Sequence, residues 1–153
     1  MGVPITVRVQ SEDFDVAAEI ERVKQAADGV GAVVTFTGVC RSEGGRLSAL
    51  ELEHYPGMAE QEIARITKEA AGRWPLAAIT VIHRHGRIAV GDNIVLVIAA
   101  SSHRHAAFEA AGYLMDYLKT RAPFWKKEQL SGDGEGTWVE PNPDDEEISG
   151  GRA

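Results

Sequence analysis

The chain has 153 residues, 44% of them hydrophobic and 25% charged, which is enough apolar material for one domain with a substantial core. Its formal net charge is −7, yet residues 131–153 hold seven acids and one base, leaving 16 acids and 15 bases in the other 130 residues. A near-neutral body argues against a broad DNA-binding face, and a single cysteine, Cys40, excludes an internal disulfide, a cysteine zinc cluster and a two-cysteine redox cycle.

The run ITVRV (5–9) alternates as a strand does. Ser11 and Asp13 then offer caps for a helix over about residues 15–27, with Val16, Ile20, Val23 and Ala27 on one face and Gly29 as its stop. GAVVTFTGV (31–39) is a largely apolar strand reaching a turn at Gly38, and the glycines of RSEGGR mark a loop. LSALELEHY (47–55) alternates again, placing Leu50 and Leu52 on one face. Residues 56–74 carry Ala59, Ile63, Ile66 and Ala70 at helical spacing. Two strands, AAITVIHRH and DNIVLVIAAS, flank a turn region GRIAVGD. The longest helix runs from Ser102 to Arg121, with Phe108, Ala111, Met115 and Leu118 as its stripe. GDGEG (132–136) closes a hairpin between FWKKEQL and TWVE, and the acidic end, 141–153, reads as a disordered tail beyond a single domain of residues 1–140. Strand pairs interleaved with single helices indicate an α+β domain with mixed strands and three main helices. No leader peptide or membrane-length apolar run is legible, so a soluble cytoplasmic protein without membrane contact is expected.

The segment YLKTRAPFWKKE (117–128) sets Lys119, Arg121, Lys126 and Lys127 around a Pro-Phe-Trp turn. Cations there fit the C-terminal end of a helix, and they equally fit a site for a flat anion. At about 100° per residue Lys119 falls some 20° from Phe108 on the helical wheel, within the stripe, so it either snorkels out or is a partly desolvated amine able to move a proton. Arg104 lies on the same stripe but 15 residues away, roughly 22 Å along the helix. If both serve one site, a second copy of the chain must supply one of them. The pairs His83/His85 and His103/His105 lack an accompanying carboxylate pattern, so no metal and no cofactor are expected. Cys40 has no histidine or aspartate placed to activate it and reads as a packed residue rather than a nucleophile. Arg41, after the glycine, suits a phosphate or carboxylate.

Together GAVVTFTGVCR, LELEHYPGMAE, RWPLAAITVIHRHG, GDNIVLVIAASSHRHAAFEA and above all MDYLKTRAPFWKKE resemble the large, catalytic subunit of molybdopterin synthase, the MoaE family, from about Ile5 to Glu140. The resemblance implies an α/β-hammerhead fold and a central homodimer. A small ubiquitin-like MoaD-type subunit, carrying a C-terminal Gly-Gly thiocarboxylate, would dock at each end to give a heterotetramer. It further implies a sulfurtransferase acting on cyclic pyranopterin monophosphate to build the dithiolene of molybdopterin. Lys119 and Lys126 match the family's catalytic lysines. Val39, Cys40 and Arg41, the pair His103 and Arg104, and the segment Lys126, Lys127 and Glu128 match its substrate-contacting positions. Phe124 and Trp125 are expected to supply an apolar wall. Two other readings compete: a non-catalytic anion-, nucleotide- or RNA-binding α+β module, and a persulfide sulfurtransferase dependent on Cys40.

Overall fold

A computed structural model describes residues 2–131 and 137–139; the GDGEG turn and the acidic end read as a tail lie outside the described residues. In chain order the elements are β1 (Ile5–Gln10), α1 (Val16–Ala26), β2 (Ala32–Val39), β3 (Leu47–His54), α2 (Met58–Arg73), β4 (Leu76–Arg84), β5 (Gly86–Ala89), β6 (Asn93–Ser101), α3 (Arg104–Thr120), β7 (Phe124–Leu130) and β8 (Thr137–Val139). They form two four-stranded sheets, ordered β1-β4-β6-β2 and β5-β3-β7-β8. In the first sheet β1 runs parallel to β4, while β6 is antiparallel to both β4 and β2. The second sheet is antiparallel throughout. This is the α+β architecture with mixed strands and three helices that the sequence predicts.

The first sheet is covered on both faces, which is why β4 and β6 read as continuous apolar runs rather than as alternation. Ile79, Val81, Val95, Val97 and Ala99 pack with Ile63, Ile66, Leu114 and Met115 of α2 and α3. The alternate residues Ala78, Ile82, Leu96, Ile98 and Ala100 pack with Val23 of α1. Helix α1 starts at Asp15, whose carboxylate accepts from the Ala18 amide at 3.0 Å. Helix α2 starts at Gly57, whose φ of 87° suits glycine, and the Glu60 carboxylate accepts from the Gly57 amide at 2.6 Å. Tyr113 and Tyr117 of α3 donate to Glu69 and Glu62 of α2, locking the two helices side by side. Burial, with the Glu62 carboxylate beside it, pushes the Tyr117 phenol up to about 12.

Three local expectations need correction. The GRIAVGD region contains a strand, β5, whose Ile88 is fully buried against Leu50 and Leu52 of β3; a four-residue strand bounded by Gly86 and Gly91 has too little alternation to be seen in sequence. Gly38 is no turn: it lies within β2 opposite Val95, next to a register shift, and a Cβ there would sit 2.7 Å from a Val95 methyl. The buried face of α3 is not centred on Phe108, which is 63% exposed. It runs through Ala106, Ala107, Ala110, Ala111, Leu114, Met115 and Tyr117, about 120° around the helix from Phe108. Alanines let α3 approach the sheet closely, so the large aromatic is left outside.

Candidate functional site

The cationic segment sits at the junction of the two sheets. Lys119 ends the last turn of α3, which packs on the first sheet, and Lys126 is the third residue of β7 in the second. A short turn connects them, in which the Arg121 and Ala122 amides both donate to the Tyr117 carbonyl and the Phe124 amide donates to that of Ala122. Both lysines are exposed in the single chain. Lys119 therefore lies outside the buried stripe in which the wheel placed it, for the same reason as Phe108.

At the same junction lies a group of rings absent from the sequence reading. The His83 imidazole, on β4, stacks on Phe124 with centroids 3.8 Å apart and planes 14° from parallel. His54, opposite Phe124 across the β3–β7 ladder, approaches the same ring at 5.8 Å and the His85 ring at 4.4 Å. His83 Nδ1 lies 2.8 Å from the Arg84 carbonyl oxygen, which sets the neutral tautomer with its proton on Nδ1. Burial lowers the His83 pKa to about 4; the Arg84 carbonyl opposes this, and the charges of Lys126, His54 and Lys119 reinforce it. That both lysines act on one imidazole brings them to the same neighbourhood. His85 is also lowered, chiefly by burial. The only sequence signal for this group was the His-x-His pair, and its chemistry is stacking. Among the described residues no cluster of three or more histidine, cysteine, aspartate or glutamate side chains is placed to hold a metal.

The other predicted residues divide. Cys40 is 2% exposed and packs with Leu47, Leu50, Leu52 and Ile88. Burial pushes its thiol up, while a hydrogen bond with the Leu50 backbone and the charge of Lys126 pull slightly the other way. The buried thiol is a poor nucleophile, and the Lys126 effect places that lysine near the β2 exit as well. Val39 and Arg41 flank Cys40 and are exposed, Arg41 bonding Glu43 at 3.1 Å. Glu128 is held by two bonds from Arg46, at 3.1 and 2.9 Å. Lys127 stands opposite Glu51 on the face of β7 away from Lys126. His103 and Arg104, exposed at the N-terminal end of α3, are a full helix length from Lys119 and do not join it in one chain.

The expected Phe124–Trp125 wall does not form as a unit, because successive strand residues face opposite ways. Phe124 packs inward on His83, whereas Trp125 is exposed and meets Tyr55 edge-on at 5.2 Å. Glu53, His54, Tyr55 and Trp125 line a cavity of about 380 Å³ beside the lysines' turn.

The family model for the MoaE protein matches residues 9–121. The molybdopterin synthase catalytic subunit of Mesorhizobium japonicum is 66% identical over 94% of this chain and 91% of its own length. That of Brucella melitensis is 60% identical over 94% and 88%. Among solved structures, the molybdopterin cofactor biosynthesis protein E of Burkholderia multivorans superposes with a TM-score of 0.81 at 40% identity, covering 95% of this chain and 94% of that one. The chain belongs to the MoaE family, the catalytic subunits of molybdopterin synthase.

Proposed function

We propose that the chain transfers sulfur from the C-terminal thiocarboxylate of a small ubiquitin-like subunit to cyclic pyranopterin monophosphate, at a site built between two copies of itself. The observation that supports this reading is the short α3–β7 turn that carries Lys119 and Lys126 at the junction of the two sheets, with His103 and Arg104 at the far end of the same helix. The cations suit a cyclic phosphate; Arg41 and Lys126 would hold it from one copy, and His103 and Arg104 from the other. Self-association has apolar surface to use: Phe108 on α3, with Phe36 and Val39 on β2, an edge strand of the first sheet, are exposed. With one small subunit on each copy, the assembly would be a heterotetramer.

The chemistry needs no thiol from this chain. The thiocarboxylate sulfur attacks an electrophilic carbon of the pterin precursor and a C–S bond forms. The C–O bond at that carbon breaks, its oxygen leaving as water or as an oxygen of the opened cyclic phosphate, and the partner stays attached as a thioester. Water then attacks the acyl carbon and the C–S bond to the partner breaks. The partner leaves as a carboxylate, the sulfur stays on the pterin as a thiolate, and both of the water's protons pass to bases. A second thiocarboxylate repeats the sequence at the adjacent carbon. Lys119 is the group assigned to proton transfer, with Lys126 gripping the substrate. The burial of Cys40 speaks against the persulfide alternative. No helix among the described residues is long and apolar enough to cross a membrane.

Subunit complementation tests the shared site. Lys119→Ala and Arg104→Ala chains, each inactive alone, are mixed after dissociation and reassembly. Random pairing gives half mixed dimers with one intact site in two, so activity returns to about a quarter of wild type. If each chain carried a complete site, no activity would return.

A further inference from the structure

Lys119 and Lys126 belong to different bodies. Lys119 is fixed to the first sheet through the packing of Leu114 and Met115 on Val95 and Val97, and Lys126 to the second sheet through the β3–β7 ladder. Of the three backbone hydrogen bonds at the turn between them, two run from Arg121 and Ala122 back to the Tyr117 carbonyl of α3, and the third joins Phe124, the first residue of β7, to Ala122. Ala122 and Phe124 pack against the apolar cluster of the first sheet, and the directed contact between the bodies here is between rings: His83 of the first sheet on Phe124 of the second, flanked by the His85–His54 approach. We propose that His83 is a positioning residue: its ring, stacked on Phe124, fixes the turn and so sets the separation at which Lys119 and Lys126 meet the substrate. This rests on the assignment of the two lysines to the reaction.

The chemistry of the position suits the task. An aliphatic side chain would fill the space without a flat face to hold the phenyl ring parallel at 3.8 Å. A permanently cationic side chain would repel both lysines, and a carboxylate would pair with them and draw them from the substrate. The charged and titratable groups around the ring are His54 from β3, His85 after β4, Lys119 from α3 and Lys126 from β7, with Glu60 3.8 Å from His54. An imidazole held neutral by burial, its Nδ1 proton on the Arg84 carbonyl, supplies the flat face without the charge.

The test uses the full chain with thiocarboxylated small subunit and the pterin precursor, comparing His83→Phe, His83→Leu and the double variant His83→Leu/Lys119→Ala. His83→Phe, which keeps a flat ring, is expected to hold kcat within about threefold of wild type. His83→Leu is expected to lower kcat about tenfold or more, since misplacement by an ångström is enough to do so, with KM for the small subunit unchanged. Because His83 acts through Lys119, the His83→Leu loss should vanish in the Lys119→Ala background. Additive losses, wild-type kcat in His83→Leu, or a His83→Phe variant as impaired as His83→Leu would each overturn the proposal. In the wild-type protein, imidazole nitrogen NMR should find His83 neutral with its proton on Nδ1 from pH 5.5 to 8, and titration near 6.5 would overturn it even if the variants failed to fold. A fully active Lys119→Ala single variant would instead overturn the assignment of the lysine, so the two failures are separable.

Discussion

Replacing Lys119 by alanine separates chemistry from stability, because the structure makes the second effect small. The side chain is exposed on the last turn of α3, where its charge favours the helix dipole by roughly 0.3–1 kcal/mol. Alanine returns a few tenths of that through its higher helix propensity. A net loss below about 1 kcal/mol corresponds to a Tm shift of roughly 2–4 °C or less for a chain of this size. Losing a group that transfers protons costs about 10²–10⁴ in rate, or roughly 3–5 kcal/mol of barrier. Turnover is measured as molybdopterin formed from precursor and thiocarboxylated partner, and stability by thermal unfolding of the same preparation. Turnover reduced a hundredfold or more, with Tm within about 4 °C of wild type, is the expected result. Full turnover, or a loss of activity that merely tracks unfolding, would refute the reasoning.

Leu114→Ala removes a fully buried side chain between α3 and the first sheet, and chemical denaturation should report a loss of about 2–5 kcal/mol. His83 has a folded pKa of about 4, below its ordinary 6.5. The unfolded chain therefore binds the extra proton first, and stability falls as pH drops through that window. Relative to His83→Phe, wild type should lose up to about 3 kcal/mol between pH 7 and pH 4 and nothing between pH 7 and pH 9; a difference independent of pH would contradict the buried neutral imidazole. Cys40→Ser should keep turnover near the wild-type rate while lowering Tm, since a hydroxyl replaces a thiol packed among Leu47, Leu50, Leu52 and Ile88; activity lost in a folded variant would restore the thiol to the mechanism.

Much of this was legible in the residues, and what was hidden shares one physical cause. Ala59, Ile63, Ile66 and Ala70 of α2 repeat at helical spacing and are all buried, because that helix presents one apolar face to one sheet. The β7–β8 hairpin followed from its flanking strands. In α3 the wheel was anchored on Phe108, the largest apolar residue, whereas the buried face is made of alanines whose small size permits close approach. That error also set Lys119 within the apolar stripe, where its exposure matches the snorkelling alternative. The His54–Phe124 pairing joins residues far apart in sequence, and His83 meets Phe124 only because two sheets come together. No local periodicity encodes either contact. Lys119, Lys126 and Arg41 were picked out by their residue type and by the family resemblance; the ring group at the junction of the two sheets required the fold.

The central claim is that sulfur passes directly from the partner's thiocarboxylate to the pterin while this chain contributes lysines and no thiol. Reconstitution with ³⁵S-labelled thiocarboxylate tests it most directly, by following the label and the stoichiometry together. Two labelled sulfurs should appear in each molybdopterin, with two partner carboxylates released and no label on Cys40. Molybdopterin carrying fewer than two labelled sulfurs, or formed by the Lys119→Ala chain at the wild-type rate, would contradict the account.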